Sequence, residues 1–293
     1  MPALLILCSG AGAQNATDTV SYKRLVKFPL LSIRYFNYSN SEFTASESKG
    51  DVYMEEFNTT FQFAFPIKKK KTYLINRVNL NRLSYRVEID DEINKEAFYA
   101  FGYTFGLTQV LKNRWRLVAT VTPTLASDFK NEISSEDLIV QSAAILSKRS
   151  SPFFEYGFGA AFSTRFGREL LVPVLSLTYK NERWGTFMFL PAYISQYYHF
   201  DQSRVGFSLS TYGNVYNYTP DIKGDYELDK LGYSRINIGP EFRTRLWKDV
   251  HINVSTGITV RNRLESINGR GTREFDISTK EKFYFKVELN ILK

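Results

Sequence analysis

The chain has 293 residues, of which 43% are hydrophobic and 16% aromatic, and it carries a formal net charge of +8. This length suits one large domain or two small ones. Lysine and arginine are spread along the sequence instead of forming one basic stripe, which argues against a nucleic-acid-binding protein. After the first few residues no apolar run reaches the roughly 18 residues that a transmembrane helix requires, so a helical membrane protein is excluded.

The beginning of the chain has the composition of an export signal. A short apolar run covers residues 3–8, and the Ala-Gly-Ala sequence at 11–13 supplies the small residues of a signal-peptidase site. Simple cleavage is favoured over lipid attachment at Cys8, because a large leucine precedes this cysteine. We predict a signal peptide over residues 1–13 and one exported domain over residues 14–293. The processed domain then contains no cysteine for a disulfide or a thiolate metal site.

Beyond the leader, long segments alternate between bulky apolar residues and small or polar ones. A period of two residues indicates β-strands that have one apolar face. In chain order, clear examples cover residues 57–65, 99–107, 154–162, 250–260 and 283–291. Alternation alone is compatible with rings that face lipid and with rings that face the core of a soluble sandwich.

Segment length favours lipid over a soluble core. Residues 234–246 and 250–263 alternate for longer than the roughly 5–6 residues of a typical soluble strand. They match the ~9–11 residues that cross a bilayer at a tilt. Tight connections, as at 111–114, occur together with long ones, as at 217–231, which is typical of an outer-membrane barrel.

Aromatic residues near the segment ends agree with this interpretation. Trp115, Trp184 and Trp247 all lie beside predicted turns. In membrane barrels such residues form girdles at the two interfaces between lipid and water.

Thirteen candidate strands can be recognised from the alternation. They lie near residues 30–38, 55–66, 73–89, 97–109, 114–126, 137–148, 153–165, 170–180, 184–198, 204–217, 233–247, 250–263 and 280–292. Single-chain bacterial barrels use even numbers of strands, and short connections on both sides of Pro191 place the expected miscount there. We predict an all-β, antiparallel, up-and-down transmembrane barrel of about 12 strands, with 14 as the alternative. A parity change between Leu80 and Leu83 also predicts a β-bulge in the third strand.

Several short motifs add a family resemblance. One strand runs from Trp115-Arg116-Leu117 through Pro123 and Leu125 to Ser127-Asp128-Phe129, and a later segment contains Leu190-Pro191 followed by Tyr197. Together with the exported leader, this combination resembles the uncharacterised outer-membrane β-barrel proteins of Bacteroidota-type bacteria. The resemblance spans most of the mature chain. It implies the fold and an outer-membrane location, and it transfers no catalytic residue.

The polar face of the last three strands is the most highly charged part of the predicted barrel. By parity it contains Arg235, Glu241, Arg243, Arg245, His251, Arg261, Lys286 and Glu288. If neighbouring strands hold these side chains at one level, they line a polar lumen that attracts anions. The alternative is that the opposite charges pair and fill the interior.

An enzymatic site is not apparent from the sequence. His199 and His251 are the only histidines, and neither lies in a recognised motif. His251 and Ser255 share the polar face, but four residues along a strand separate them by roughly 13 Å, which is too far for a catalytic pair.

The sequence thus predicts a non-enzymatic outer-membrane barrel, either a narrow pore or a structural or surface-binding protein, with no cofactor and no bound metal. Two alternatives stay open: a membrane-embedded enzyme that acts on lipid, and a soluble exported β-protein that binds an apolar ligand. The expected partners are outer-membrane lipid, lipopolysaccharide and the barrel-assembly machinery, and no nucleic acid is expected. Its oligomeric state is not predicted.

Overall fold

A computed structural model describes most of the predicted domain. The described residues are 29–42, 50–68, 71–89, 92–218, 230–267 and 273–292. The predicted signal peptide lies outside these ranges. None of the helices within them is long and apolar enough to cross a membrane.

The alternating segments form β-strands, as expected for rings and β-branched residues on a pleated surface. In chain order the strands are β1 (Pro29–Glu42), β2 (Gly50–Lys68), β3 (Thr72–Ile89), β4 (Glu92–Val110), β5 (Trp115–Ser127), β6 (Leu138–Arg149), β7 (Phe154–Ser163), β8 (Leu170–Lys180), β9 (Trp184–Leu190), β10 (Tyr193–Phe200), β11 (Ser203–Asn217), β12 (Lys230–Trp247), β13 (Val250–Ile267), β14 (Arg273–Ser278) and β15 (Lys282–Leu292). Two short 3-10 turns, Lys112–Arg114 and Ser135–Asp137, lie in the connections.

The strands close into one barrel. Each strand from β1 to β13 pairs antiparallel with the next, and β15 pairs with both β13 and β1. β14 pairs with the part of β13 that β15 leaves free, so β14 and β15 act as two pieces of one barrel strand. The closed barrel therefore has 14 strands. The principal prediction of 12 strands is wrong, and the alternative of 14 is confirmed.

The missed strand lies at Pro191, where the miscount was expected. The single segment predicted over residues 184–198 is divided into β9 and β10 by a turn, which the Ala192 N–H closes by donating to the Phe189 carbonyl at 2.8 Å. Proline has no N–H to donate to a strand ladder, which favours a break at this point.

The apolar face of the strands points outward. Phe61, Phe101, Phe158 and Phe285 are 43%, 47%, 50% and 45% exposed, and their neighbours of opposite parity face the barrel axis. In a soluble sandwich these rings would converge on a common core. The barrel instead has an apolar outer belt.

The two ends of the barrel differ. The connections β4–β5, β8–β9 and β12–β13 are short, and Trp115, Trp184 and Trp247 lie beside them at one end, called here the tryptophan end. Toward the opposite end, called the outer end, the wall has unequal height. β2 and β4 have 19 residues each, whereas β9 and β10 have 7 and 8.

The bulge predicted for the third strand is absent from β3. Its register with β2 and β4 is continuous through this region, and Leu83 and Tyr85 simply turn inward. The parity change therefore reflects an interior that is apolar at this level. An irregularity does occur in β13, where the register with β12 shifts between Thr259 and Arg261.

One glycine in β13 is needed for the close approach of two strands. Gly257 has a φ of 155°, and a Cβ there would collide with the backbone of β12 at Ile238 and Gly239. Side chains other than that of glycine rarely adopt this conformation.

We expect Gly257→Ala to lower the free energy of unfolding by about 1–3 kcal/mol, because it combines backbone strain with a backbone clash. Urea titration of the detergent-folded protein, followed by tryptophan fluorescence, measures this change. Gly102→Ala is the matched control, because its new methyl group would meet the Thr124 hydroxyl, which can rotate away. Equal losses for both variants would contradict this explanation.

Candidate functional site

Polar side chains form a row around the inside of the barrel. Arg204 on β11 pairs in register with Arg243 on β12, Arg243 with Asn253 on β13, Asn253 with Glu288 on β15, and Glu288 with Arg34 on β1. Side chains that are directly opposite across two strands have Cβ atoms about 4.5–5.5 Å apart. These five residues, called the lumen row, therefore form a continuous band across five neighbouring strands.

A buried ion pair lies at one end of the lumen row. Arg34 Nη2 donates to Glu288 Oε1 at 2.9 Å, and Ser32 Oγ donates to the same oxygen at 2.9 Å. The two charged side chains are only 7% and 11% exposed. Removing one partner of such a pair typically costs about 3–5 kcal/mol, because the other charge is left buried.

A second carboxylate lies one level closer to the outer end. Glu241 accepts hydrogen bonds from Ser195 Oγ at 2.8 Å and from the Tyr193 hydroxyl at 3.1 Å, and Arg204 Nη2 lies 3.5 Å from it. Lys286 also acts on it electrostatically. Glu241 is thus held by neutral donors and shared between two cations.

A third inward charge, Arg235, lies in an aromatic cage. Its guanidinium carbon is 4.0 Å from the ring centre of Tyr38 and 4.8 Å from that of Tyr233. Its Nε donates to Asn262 Oδ1 at 3.0 Å, and Glu56 lies 4.0 Å away. Ring faces stabilise a desolvated cation, so they offset the cost of burying this arginine.

The structure places the eight predicted lumen residues in three groups. Six point inward: Arg235, Glu241, Arg243, His251, Lys286 and Glu288. Arg245 is exposed at the rim of the tryptophan end, where its Nε donates to Gln202 Oε1 at 2.8 Å. Arg261 lies instead on the outward face, because the register shift in β13 reverses the parity after Thr259. The lumen-lining role of the inward residues stays a prediction.

Several buried charges on the first three strands were not predicted. Arg34, Glu56 and Arg77 all face the interior. In β1, Ser32, Arg34 and Phe36 alternate with Ile33 and Tyr35. This alternation could have indicated that Arg34 faces the interior. The inward orientation of Arg77 could not be predicted in this way, because a bulge was expected in β3 and the two faces of this strand were therefore not defined.

The outer half of the lumen is filled by rings. Phe36, Tyr38, Phe98, Tyr216 and Tyr233 belong to one buried cluster, and none is more than 1% exposed. The rings of Phe98 and Tyr216 are 5.3 Å apart, and those of Tyr216 and Tyr233 are stacked at 6.2 Å. These contacts join β4 to β11 and β12 through the middle of the barrel.

The end of β11 crosses the outer mouth of the barrel. Asn217 pairs in parallel with Ser127 of β5, although five strands separate β11 from β5 along the wall. The Asn217 amide donates to Asp137 Oδ1 at 2.9 Å, and the Tyr216 hydroxyl donates to Asn81 Oδ1 at 3.0 Å. We call this set of contacts the β11 closure. It is possible because the short β9–β10 hairpin leaves room for β11 to lean inward.

A small cavity lies beneath the β11 closure. Its volume is about 20 Å³, enough for a water molecule, which needs roughly 10–15 Å³. Its lining consists of polar and small side chains: Asn58, Asn79, Asn81, Ala100, Gly102, Thr122, Thr124 and Asn214. The side chains around this cavity carry amide and hydroxyl groups, so polar residues lie immediately beside the ring cluster.

A closed 14-stranded antiparallel barrel with outward rings and a charged interior has the architecture of outer-membrane channels. The chain belongs to the family described as Domain of unknown function (DUF6268), whose model matches residues 29–291. The bacterial lineage expected from the sequence stays a prediction. None of the curated proteins matches the chain.

One solved channel structure shares this fold, and two others are less similar. A TodX deltaS2S3 mutant, a monoaromatic hydrocarbon channel, is 9% identical with a TM-score of 0.50, and the match covers 98% of both chains. The TodX deltaS2 mutant is 9% identical with a TM-score of 0.48, covering 90% of this chain and 89% of the other. An outer-membrane channel from Pseudomonas putida F1 is 10% identical with a TM-score of 0.44, covering 94% and 100%. At these identities the likeness concerns the fold alone.

The β11 closure depends on one carboxylate outside the barrel strands. Burial of Asp137 opposes its ionisation, but hydrogen bonds from the Ser134 N–H and the Asn217 amide hold the pKa of its carboxyl below the ordinary value. Because the folded pKa is lowered, the stabilisation is complete above the ordinary pKa of 3.8 and is lost as the pH falls through the lowered value.

We expect Asp137→Asn to loosen the end of β11, since a hydrogen bond to a charged group contributes about 1.5–3 kcal/mol. Hydrogen exchange of the Asp128 N–H, which donates to the Asn217 carbonyl at 3.3 Å, measures the opening and should become at least about tenfold faster. Acidification of the wild-type protein should have the same effect. Glu136→Gln, at the exposed neighbour, is the control and should leave the rate unchanged. Equal rates in all variants would contradict the role of Asp137.

Proposed function

We propose that the protein is a non-enzymatic β-barrel of the outer membrane that acts as a narrow channel for small anions, and that the β11 closure shuts it. The observation that carries this proposal is the charge of the interior. Inward cations are Arg34, Arg77, Arg116, Arg204, Arg235, Arg243, Lys282 and Lys286, whereas the inward anions are fewer: Glu56, Glu96, Glu155, Glu241 and Glu288. An excess of positive charge inside a low-dielectric wall attracts anions.

The outer belt supports the membrane location. Its rings are about half exposed, and burying apolar surface in lipid removes it from water. The fold shared with outer-membrane channels supports the same location and a role other than catalysis.

The form of the β11 closure supports a channel that can open. Neighbouring strands of the wall share long ladders of paired residues. Between β11 and β12, for example, the ladder extends from the pair Asn217 and Lys230 to the pair Ser203 and Thr244. In contrast, β11 meets β5 at a single residue pair, assisted by a few hydrogen bonds. The neutral hydrogen bond from Tyr216 to Asn81 contributes about 0.5–1.5 kcal/mol and the one to the Asp137 carboxylate about 1.5–3 kcal/mol, so the closure can break while the long ladders keep the barrel intact.

Conductance across planar lipid bilayers tests the channel. Tyr216→Ala removes the ring that links β11 to Phe98 and should increase the open time of single channels. Tyr216→Phe keeps the ring and removes only the hydroxyl, which donates to Asn81, and it should have a smaller effect. In a potassium chloride gradient, the reversal potential of the open state should show a preference for chloride.

A disulfide between cysteines at Ser127 and Asn217 should hold the channel shut, and a reductant should restore the current. Heat-modifiable migration on gels shows that each variant has folded. If all folded variants stay silent, the lumen is a permanent plug and the protein is a structural barrel.

We expect Phe101→Arg to destabilise the barrel in phosphocholine vesicles by about 2–4 kcal/mol, the cost of a cation near the middle of a bilayer. Reversible urea unfolding in vesicles measures this difference. Ile93→Arg is the control on the same face of β4, because Ile93 lies beyond the ring-bearing part of the strand near the outer end. A Phe101→Arg variant as stable as this control would show that lipid does not surround the belt.

A further inference from the structure

Three basic side chains lie next to one another inside the barrel near the tryptophan end. His199 on β10 pairs in register with Arg204 on β11, and Arg204 pairs with Arg243 on β12. Lys180 also acts electrostatically on His199. The guanidinium groups of Arg204 and Arg243 are like charges directly opposite each other in the sheet and repel, so their arrangement is unfavourable unless they share an anion.

The neighbouring carboxylates neutralise this group only in part. Glu241 lies 3.5 Å from Arg204, but it also accepts hydrogen bonds from two neutral donors. Glu288 is engaged by Arg34 at 2.9 Å, and the residue between it and Arg243 is the neutral Asn253. Within the described part of the chain, no carboxylate forms an ion pair with Arg243.

Each of the three side chains has a buried nitrogen with no hydrogen-bond partner among the described residues. These atoms are His199 Nε2, Arg204 Nε and Arg243 Nη2. Buried donors are normally paired, and a group that is left unpaired in one place is a candidate for ligand contact. An imidazole that carries its proton on Nε2 donates from that nitrogen, so all three residues can donate to one anion.

Aromatic contacts hold two of these side chains in place. The guanidinium carbon of Arg204 lies 4.5 Å from the ring centre of Tyr197, and the ring of His199 meets the same ring edge-on at 4.9 Å. The ring of Tyr197 lies over Gly185, and a Cβ at position 185 would occupy the space of this ring. The basic groups are therefore positioned before any ligand arrives, which favours binding.

We propose that His199, Arg204 and Arg243 form a binding site for one small phosphate-type oxyanion. Guanidinium groups bind phosphate through two parallel hydrogen bonds, and a tetrahedral oxyanion has enough oxygens to bridge two of them and an imidazole. Chloride has no directional acceptor groups of this kind. The biological role of this site rests on the proposed function, because the site selects the anion that the proposed channel carries.

Binding at this site does not require the β11 closure to open. All three residues lie close to the ends of their strands beside the short connections β10–β11 and β12–β13. The side chain of Arg204 is 19% exposed, so the site is accessible from the tryptophan end. Binding and conduction can therefore be measured separately.

Calorimetric titration of the detergent-folded full chain with inorganic phosphate, at constant ionic strength, tests the site. We expect saturable binding of one phosphate per barrel. Arg243→Gln should weaken the affinity at least tenfold, and it breaks no hydrogen bond or ion pair found in the described structure. Arg245→Gln is the matched control, because it removes the same charge two residues away at the exposed rim. Acetate and chloride should compete only weakly.

Two results would overturn the site: no saturable phosphate binding by the folded wild-type protein, or equal weakening by Arg243→Gln and Arg245→Gln. The channel is judged by conductance alone. If phosphate binds as expected but the folded variants with a disrupted β11 closure never conduct, the channel is wrong and the site stands. If chloride current flows but phosphate neither binds nor slows it, the site is wrong and the channel stands.

Discussion

The pairing of β15 with β1 closes the barrel, and the rest of the structure depends on it. The ladder runs without interruption from Leu31–Ile291 to Tyr38–Tyr284. It joins the first and last strands of the wall, and it gives every strand an inside and an outside. The buried ion pair between Arg34 and Glu288 crosses this same seam, so a long-range charge interaction and the backbone closure support each other.

Closure also explains why the interior holds charges that a small soluble core avoids. With the rings on the outside, the inward face receives the polar half of each alternating strand. These groups are stabilised by ion pairs, by neutral donors around Glu241 and by ring faces around Arg235. The same environment makes an unpartnered cation costly, which makes the cluster around Arg243 a good place for an anion.

The sequence predicts the barrel well because alternation with a period of two is a direct consequence of strand geometry. The alternation does not reveal the turn at Pro191, and the reason is physical. Phe189 and Tyr193 both point inward, so a two-residue turn preserves the parity, and the alternation continues through it unbroken. Here only the missing proline N–H and the odd strand count indicate a break.

The candidate site is less predictable than the fold. Parity places six of the eight residues expected in the lumen on the inward face, but it fails for Arg261, where a register shift in β13 reverses the two faces. The interaction partners of these residues are harder to predict than their faces. Arg34 and Glu288 are 254 positions apart in the sequence, and they come into contact only because the barrel closes. The row of His199, Arg204 and Arg243 likewise depends on the register of three strands, one of which was missed.

The short β9–β10 hairpin has a consequence for the membrane itself. Strands that cross a bilayer need ~9–11 residues, and β9 and β10 have only 7 and 8. In the proposed outer-membrane setting, the hydrophobic wall is lower on this side than on the side of β2 and β4. A bilayer next to a short hydrophobic span thins to match it. The barrel would therefore deform the surrounding lipid unevenly, and its shallow side would become a preferred contact for thin membrane regions.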